Sequence, residues 1–228
     1  MKLIVIEGLD GAGKSTQITM LSNWFKADNI VCRYLHFPRT DAPYFGELIA
    51  RFLRGEFGDI DHVDPYLVAM LYAGDRKDAS EKISSWLSNG EYVLLDRYTY
   101  SNIAYQCAKL KNDADALRLR EWILELEFSH FSIPRPDINI FLDVPFEFTR
   151  KKLTNERFGE DRSYLQGNRD IHESSLAFQA RVRETYLSVA RTDSKLQIID
   201  CSDSAGGMLP PDAIFSLVKD KLSEKNIL

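Results

Sequence analysis

The stretch of sequence that decides the fold reads Gly8-Leu9-Asp10-Gly11-Ala12-Gly13-Lys14-Ser15-Thr16. It fits G-x-x-x-x-G-K-[ST], the pattern of a phosphate-binding loop. An apolar run at residues 2–7 precedes it and is typical of a buried strand. After the loop, Ile18, Leu21 and Phe25 recur at helical spacing. The pattern therefore predicts a strand, a loop and a helix in succession, the context in which this motif binds phosphate.

The chemistry of the loop follows from its residue types. Glycines let backbone N–H groups turn inward around an anion, and the helix start adds the positive end of a dipole. We expect Lys14 to reach the β- and γ-phosphates of a nucleoside triphosphate, and the Ser15 hydroxyl to hold Mg²⁺. The simpler alternative is a glycine turn that only starts a helix. The residues predicted to bind the triphosphate are Gly8, Gly11, Ala12, Gly13, Lys14, Ser15 and Thr16.

Composition excludes several classes of protein. The chain has 228 residues, 44% of them hydrophobic, which is ample for one core, and no linker divides it, so we expect a single domain over residues 1–228. The net charge of −5 implies no sequence-independent binding of nucleic acid. Cys32, Cys107 and Cys201 are far apart, which suits a reducing cytosol better than disulfides or zinc. No run approaches the ~18 apolar residues of a membrane span, so we expect a cytoplasmic protein that contacts no membrane.

Strands and helices alternate along the chain. Further strands are predicted at residues 30–35, 92–95, 138–143 and 196–200, and helices at residues 44–53, 65–87, 100–109, 114–128, 171–191 and 211–225. Several strands are apolar on both faces, which favours a parallel sheet covered by helices on both sides. The expected fold class is therefore α/β: three layers, with a five-stranded parallel sheet between helices.

Ligands of such sheets bind beyond the carboxyl ends of the strands. Gly8, Asp96, Arg97 and Asp143 all follow or end predicted strands there. Asp96 is expected to hold Mg²⁺, in part through water, and Arg97 to bind phosphate through its planar set of donors. The alternative for these two neighbours is a surface salt bridge. The charged stretch at residues 154–169 has little periodicity and is predicted to be a mobile lid.

A phosphate-binding loop alone does not separate kinases from GTPases or motor ATPases. The base-recognition pattern of GTPases, Asn-Lys-x-Asp after a strand, is absent, and the strand ending at Asp143 is followed by Val144-Pro145. This disfavours a GTPase but leaves other ATPases open.

Over nearly its whole length the chain resembles the thymidylate kinase family. The matching blocks are residues 4–16, Phe37-Pro38-Arg39, Tyr72-Ala73-Gly74-Asp75-Arg76, residues 96–106, Leu142-Asp143-Val144-Pro145 and Asp170-Ile171-His172-Glu173. The most specific block is residues 96–106, in which Asp-Arg-Tyr precedes a serine five positions after the aspartate and then Ala-Tyr-Gln. The resemblance implies a P-loop nucleoside monophosphate kinase that transfers the γ-phosphoryl group of ATP to dTMP, with Mg²⁺, giving dTDP and ADP for dTTP synthesis. It also implies a homodimer, with candidate faces around residues 66–70 and 100–110.

The resemblance assigns roles at the acceptor's base and phosphate. It implies that Arg39 binds the 5′-phosphate of dTMP, the alternative being a solvated loop arginine. Tyr72 matches the aromatic residue that stacks on thymine, although a tyrosine at helical spacing is more often part of a core. Arg76 is one helical turn away and is expected to hydrogen-bond the pyrimidine edge, favouring the carbonyl of thymine over the amino group of cytosine.

Around the acceptor sugar, Asp10 resembles the loop acid that meets the sugar. Ser101 and Tyr105 resemble residues that line the base and sugar pocket, where Tyr105 crowds a 2′-hydroxyl. The resemblance includes Arg97 among the substrate-binding residues.

The resemblance leaves open which arginine of the lid is catalytic. Some relatives carry it inside the phosphate-binding loop, where this chain has Gly11. The family's alternative is a lid arginine, here Arg157 or Arg162, with Arg150 as a further choice. Two departures bear on these assignments. The lid differs from the compact arginine-rich bacterial lid. Arg39 follows Pro38 directly, whereas many relatives have a residue between the proline and the arginine or a glycine-rich loop instead.

Two other functions stay open at this stage. A deoxynucleoside kinase deprotonates a hydroxyl and needs a carboxylate base near the acceptor, and Glu7 directly precedes the loop. A nucleotide-binding regulatory protein without turnover would share the fold and the loop. The intact Lys14, Ser15, Asp96 and Arg97 count against that second reading.

Overall fold

The computed structural model describes residues 1–60, 62–154, 160–167, 170–172 and 175–227, with backbone alone for 151–154 and 160–162. Its centre is a five-stranded parallel sheet with strand order β2-β3-β1-β4-β5. The strands are β1 (Leu3–Gly8), β2 (Cys32–His36), β3 (Tyr92–Asp96), β4 (Ile138–Asp143) and β5 (Leu196–Asp200). This arrangement confirms the predicted α/β class.

Helices cover both faces of the sheet. They are α1 (Lys14–Ala27), α2 (Phe45–Leu53), α3 (Pro65–Ser88), α4 (Thr99–Cys107), α5 (Asp113–Glu125), α6 (Phe146–Thr154), α7 (Leu176–Thr192) and α8 (Pro211–Glu224). A π-helical turn, Leu126–His130, extends α5, and a 3₁₀ segment, Glu160–Leu165, lies in the predicted lid. No helix in the described ranges is long and apolar enough to cross a membrane.

Strand β1, at the centre of the sheet, shows why a continuous apolar run is typical of a buried strand. All six residues of β1 are buried, because alternate side chains pack into different clusters. Ile4 and Ile6 join the cluster under α1 and α8, whereas Leu3 and Val5 join the cluster that includes Ala79 of α3. A strand covered on both sides thus has no polar face.

The register of the sheet places the predicted site residues at one edge. Ile6 of β1 pairs with Asp96 of β3, and Gly8 pairs with Leu142 of β4. The phosphate-binding loop and the segment after β3 therefore leave the sheet side by side, beyond its carboxyl edge.

Helix α7 begins five residues later than predicted, at Leu176 instead of residue 171. The backbone N–H of Ile171 donates to the Leu53 carbonyl, and that of His172 donates to Asp170 Oδ1, so these two residues are held outside the helix. Ser175 then caps α7 by accepting from the Phe178 N–H. Helix α5 likewise ends at Glu125 rather than residue 128, because the chain widens into the π-helical turn.

Candidate active site

A cavity of about 1020 Å³ opens at the carboxyl edge of the sheet. Of the predicted site residues that the structure describes in full, all but Gly8, Arg39 and the alternative lid arginine Arg150 line its wall. The cavity runs from the phosphate-binding loop to the aromatic and polar side chains of α3 and α4. It is large enough for more than one nucleotide-sized group.

The loop has the backbone conformation that its glycines permit. Gly11 and Gly13 have φ of +80° and +84°, values that favour glycine. A Cβ at Gly8 would lie 3.2 Å from Ala12 Cβ and 3.3 Å from Lys14 Cγ, closer than ordinary packing allows. Helix α1 then starts at Lys14, so its first N–H groups face the cavity end where a phosphate is expected.

Lys14 folds back over the loop. Its Nζ donates to the carbonyls of Gly8 at 3.3 Å and Leu9 at 3.1 Å. Burial and the nearby Arg97 lower the pKa of Lys14, while the carboxylates of Asp96 and Asp10 oppose that shift. A bound phosphate would supply the anionic partner that the loop carbonyls replace only in part.

Asp96 and Ser15 fit a hard cation. Asp96 ends β3 and is nearly buried; its Oδ2 lies 3.3 Å from His36 Nδ1, and its Oδ1 has no hydrogen-bond partner within the described part of the chain. Burial raises the pKa of the Asp96 carboxyl, but the charge of Lys14 and the His36 contact outweigh it, so the pKa falls below its usual value. An ionised carboxylate oxygen without a donor, beside a phosphate site, suits Mg²⁺ with the exposed Ser15 hydroxyl as a second oxygen ligand.

Arg97 brings the acceptor side of the cavity together. Its φ of +67° is unusual for a non-glycine residue. Nη2 lies 2.7 Å from Asp10 Oδ1, Nη1 donates to Ser101 Oγ at 3.1 Å, and the guanidinium lies 5.2 Å from the Tyr105 ring centre. Tyr105 donates to the other Asp10 oxygen at 2.8 Å. Four of the residues predicted to bind the acceptor, Asp10, Arg97, Ser101 and Tyr105, are therefore one connected group.

Tyr72 and Arg76 line the far end of the cavity, one turn apart on α3. Arg76 is 1% exposed, and its Nε and Nη2 donate to the two Glu127 oxygens at 2.6 and 2.5 Å. The predicted base-contacting arginine is therefore held in a buried ion pair that the sequence did not suggest.

Asn102, for which the sequence predicted no role, also lines this end. Its Nδ2 donates to the Ala69 carbonyl and to Glu127 Oε1, both at 3.0 Å. Its buried Oδ1 has no partner among the described residues, and neither does Oε1 of Gln106, four positions later on α4. That four-residue spacing within the block at residues 96–106 is the pattern from which both could have been found.

Arg39 lies outside the cavity wall, which differs from the expected phosphate contact. Its Nε donates to Asp75 Oδ1 at 2.8 Å and its Nη2 to Asp78 Oδ2 at 2.7 Å, while its backbone N–H donates to Asp75 Oδ2. The buried Asp75 carboxylate requires such donors. In this arrangement Arg39 fastens its loop to α3, and Arg97 presents its guanidinium to the cavity.

Glu7 is fully buried behind the acceptor group and does not line the cavity. Its Oε1 accepts from the backbone N–H groups of Tyr98 and Ser101, and its Oε2 accepts from the hydroxyls of Ser101 at 2.5 Å and Tyr186 at 2.8 Å. Burial raises the pKa of the Glu7 carboxyl. Both carboxylate oxygens of Glu7 therefore accept hydrogen bonds from other residues of the chain.

Only some of the arginines considered for the lid have side chains among the described residues. Arg157 and the side chain of Arg162 lie outside the described residues. Arg150 on α6 pairs with Glu147 and does not line the cavity. Tyr164, two residues after Arg162, lines the cavity, and its hydroxyl donates to Asp170 Oδ2 at 2.8 Å.

The apolar wall beside the phosphate-binding loop was not predicted from the sequence. It is formed by the segment before α8, in which Met208 lies close enough that a Cβ on Gly13 would be 3.5 Å from its Cε. No sequence motif predicts this wall, because residues that make apolar contacts with a loop have no fixed spacing from it in the sequence.

Comparisons with known proteins identify the family. The profile of the family described as thymidylate kinase matches residues 6–207. The thymidylate kinase of Mycobacterium tuberculosis is 35% identical over 189 residues, covering 82% of this chain and 85% of that protein. The probable thymidylate kinase of Thermococcus kodakarensis is 32% identical over 227 residues, covering 97% and 99%. The solved structure of Candida albicans thymidylate kinase superposes with a TM-score of 0.72 at 25% identity, covering 99% of this chain and 92% of that one. The chain belongs to the thymidylate kinase family of nucleoside monophosphate kinases.

Proposed function

We propose that the chain, as a single catalytic domain, transfers the γ-phosphoryl group of ATP to dTMP, giving ADP and dTDP in dTTP synthesis. One observation carries the proposal: a single cavity joins the phosphate-binding loop to the Asp10, Arg97, Ser101 and Tyr105 group. A triphosphate donor and a monophosphate acceptor can therefore meet at the loop.

The reaction needs alignment more than a base. The acceptor is a phosphate monoester, already largely a dianion at pH 7 because its second pKa is about 6. Lys14 and Arg97 supply positive charge between the two polyanions, and Arg39 adds to it if its guanidinium reaches the acceptor phosphate. Ser15 and Asp96, the latter in part through water, would hold Mg²⁺, which neutralises charge on the transferred phosphate when bound.

Selection of thymine is proposed to rest on three residues. Tyr72 stacks on the base without choosing it. Arg76 keeps N–H groups that Glu127 does not use, and these donate to the 4-carbonyl. Asn102 Oδ1, with no other described partner, accepts from the N3–H. Cytosine has an amino group at position 4 and an acceptor at N3, so it mismatches both contacts.

The lid is proposed to complete the site. Arg157 or Arg162 would close over ATP and add positive charge in the transition state, as an arginine finger does. Gly11 brings no such charge from within the loop.

The deoxynucleoside kinase alternative is weakened by the position of Glu7. A general base must reach the proton that it removes. Glu7 is buried outside the cavity wall with both oxygens engaged. A regulatory protein without turnover is disfavoured because Lys14, Asp96 and Arg97 meet in the cavity.

A homodimer and a cytoplasmic location complete the proposal. Leu67 and Met70 on α3 are 60% and 44% exposed, which supports the first of the two predicted faces. Every residue of α4 is buried within the chain, so the second predicted face has little exposed surface along that helix. Three free cysteines suit a reducing compartment.

The test is a coupled assay for ADP with dTMP, dUMP, dCMP and thymidine as acceptors. The proposal expects turnover with dTMP well above that with dCMP, and none with thymidine. Preference for thymidine would support the deoxynucleoside kinase, and absence of ADP with every acceptor would support the regulatory protein.

A further inference from the structure

A buried carboxylate behind the cavity joins the residues proposed to contact the base. Glu127 is 0% exposed and lies in the π-helical turn after α5. It accepts from Arg76 at 2.6 and 2.5 Å, from Thr99 Oγ1 at 2.8 Å and from Asn102 Nδ2 at 3.0 Å. Glu127 itself is absent from the cavity wall, so it can act on a ligand only through these neighbours.

The contacts fix what Arg76 offers to the cavity. Glu127 takes the Nε and Nη2 side of the guanidinium, in a paired contact that sets the plane of the group. A guanidinium carries five N–H donors, so those on the other side remain for a ligand. Arg76 is therefore held as a donor with a defined direction.

The same carboxylate fixes what Asn102 offers. A primary amide has two N–H donors, and here one goes to Glu127 and the other to the Ala69 carbonyl. Rotating the amide by 180° would bring Oδ1 against two acceptors, which is unfavourable. The atom left for the cavity side is therefore the acceptor Oδ1.

We propose that Glu127 is a positioning residue for base selection. Through its two side-chain oxygens it holds Arg76 as a donor and Asn102 as an acceptor, so that the site takes a 4-oxo pyrimidine with an N3–H and rejects a 4-amino pyrimidine. The inference rests on the proposed function and extends it to a residue outside the cavity.

Two features favour this role over a purely structural one. A carboxylate only accepts hydrogen bonds, whereas an amide at position 127 would offer an N–H and so remove one of the two acceptors that oppose the reversed Asn102 amide. A π-helical turn is rare and often lies at functional sites, and its extra residue shifts the side chains that follow around the helix. Here that shift accompanies the placing of Glu127 beside Arg76 and Asn102.

The test compares Glu127→Gln with the wild type and with Thr99→Val as a matched control. Thr99→Val removes a buried hydroxyl that donates to the same carboxylate, while the Arg76 and Asn102 side chains keep their own hydrogen bonds to Glu127. For each variant with a cooperative thermal unfolding transition, kcat and KM are measured with dTMP and with dCMP. We expect Glu127→Gln to lower the dTMP:dCMP ratio of kcat/KM by about tenfold or more, chiefly through KM, and Thr99→Val to leave it within about twofold.

A folded Glu127→Gln variant that keeps the wild-type ratio would overturn the inference, as would an equal change in Thr99→Val. If Glu127→Gln does not fold, Glu127→Asp takes its place. Its carboxylate is one methylene shorter and cannot reach both partners, so an unchanged ratio again overturns the role. The proposed function fails separately, if the wild type itself shows no preference for dTMP over dCMP.

Discussion

Arg97 Nη2 lies 2.7 Å from Asp10 Oδ1, which joins the segment after β3 to the phosphate-binding loop. The two residues are 87 positions apart in the chain, and the arginine is nearly buried. The carboxylate keeps the guanidinium at the cavity, where an acceptor phosphate is proposed to bind. A phosphate there would share Arg97 with Asp10, because the planar group has donors on more than one side.

Replacing Arg97 with lysine should lower kcat/KM for dTMP by at least about tenfold, since an ammonium cannot reproduce the contacts of a planar fork. Steady-state kinetics with dTMP as the varied substrate measures the effect. Arg33 lies on β2 and forms a surface ion pair with Glu91, so Arg33→Lys is the control and should have near-normal kinetics. Equal kinetics for the two variants would remove Arg97 from the acceptor site.

Lys14→Ala should abolish turnover while leaving the fold intact. Among the described residues, the Lys14 ammonium donates to the carbonyls of Gly8 and Leu9 in the loop, so we expect its removal to leave the core packing unchanged. The ADP assay and a thermal unfolding curve give the two readouts. Lys26→Ala, an exposed lysine on the same helix, should keep full activity. An unchanged kcat in a well-folded Lys14→Ala variant would contradict the proposed chemistry.

Arg76→Ala should weaken selection of thymine over cytosine by roughly 1–3 kcal/mol in kcat/KM. The buried ion pair adds a second consequence, because Glu127 loses its charged partner. The free energy of unfolding should therefore fall by about 3–5 kcal/mol. Kinetics with dTMP and dCMP, together with urea denaturation, separate the two effects. If both substrates lose activity by the same factor, Arg76 does not contact the base.

The proposed lid arginines require separate and combined variants. Replacing the catalytic one of Arg157 and Arg162 with alanine should lower kcat by more than about tenfold with little change in the KM for dTMP. The reason is that the contact between that arginine and the transferred phosphate exists mainly in the transition state. Arg150→Ala serves as the comparison. Near-normal kcat in the Arg157→Ala/Arg162→Ala double variant would contradict the lid assignment and direct attention to Arg150 or to Arg97 alone.

His172 predicts how stability depends on pH. It is buried against the rings of Phe52, Tyr105 and Phe178, and burial, with the nearby Lys109, lowers its pKa well below the usual 6.5. The unfolded chain then binds a proton that the native protein does not. The contribution of His172 to the free energy of unfolding is therefore fully present above pH 6.5. It is lost as the pH falls toward the pKa of His172 in the native protein, by at most about 1.4 kcal/mol per pH unit.

Urea denaturation of His172→Phe between pH 7.5 and about pH 5 checks this dependence, and the variant should lose that part of the slope. The exposed His62 provides the control, since His62→Gln should keep the slope of the wild type. An unchanged slope in His172→Phe would show that other groups cause the loss of stability.

The sequence by itself determined the features that depend on short stretches of chain. The phosphate-binding loop is confined to nine residues, and its glycines, lysine and flanking periodicities act locally. The alternation of apolar strands with helices was sufficient for the parallel sheet, because a strand without a polar face must be covered on both sides. The block at residues 96–106 likewise placed Asp96, Arg97, Ser101 and Tyr105 in one region, which the cavity wall contains.

Only the tertiary structure decided which distant side chains meet. Glu127 is 51 positions from Arg76 and 25 from Asn102, and no pattern in the sequence relates a residue of a π-helical turn to those helices. Arg39 lies against Asp75 and Asp78 for the same reason, since a buried carboxylate takes whatever donor the packing brings near. Backbone preferences and periodicity act over a few residues and can be read along the chain. The partners of buried charges are set by how the helices pack on the sheet, and that packing appears only in three dimensions.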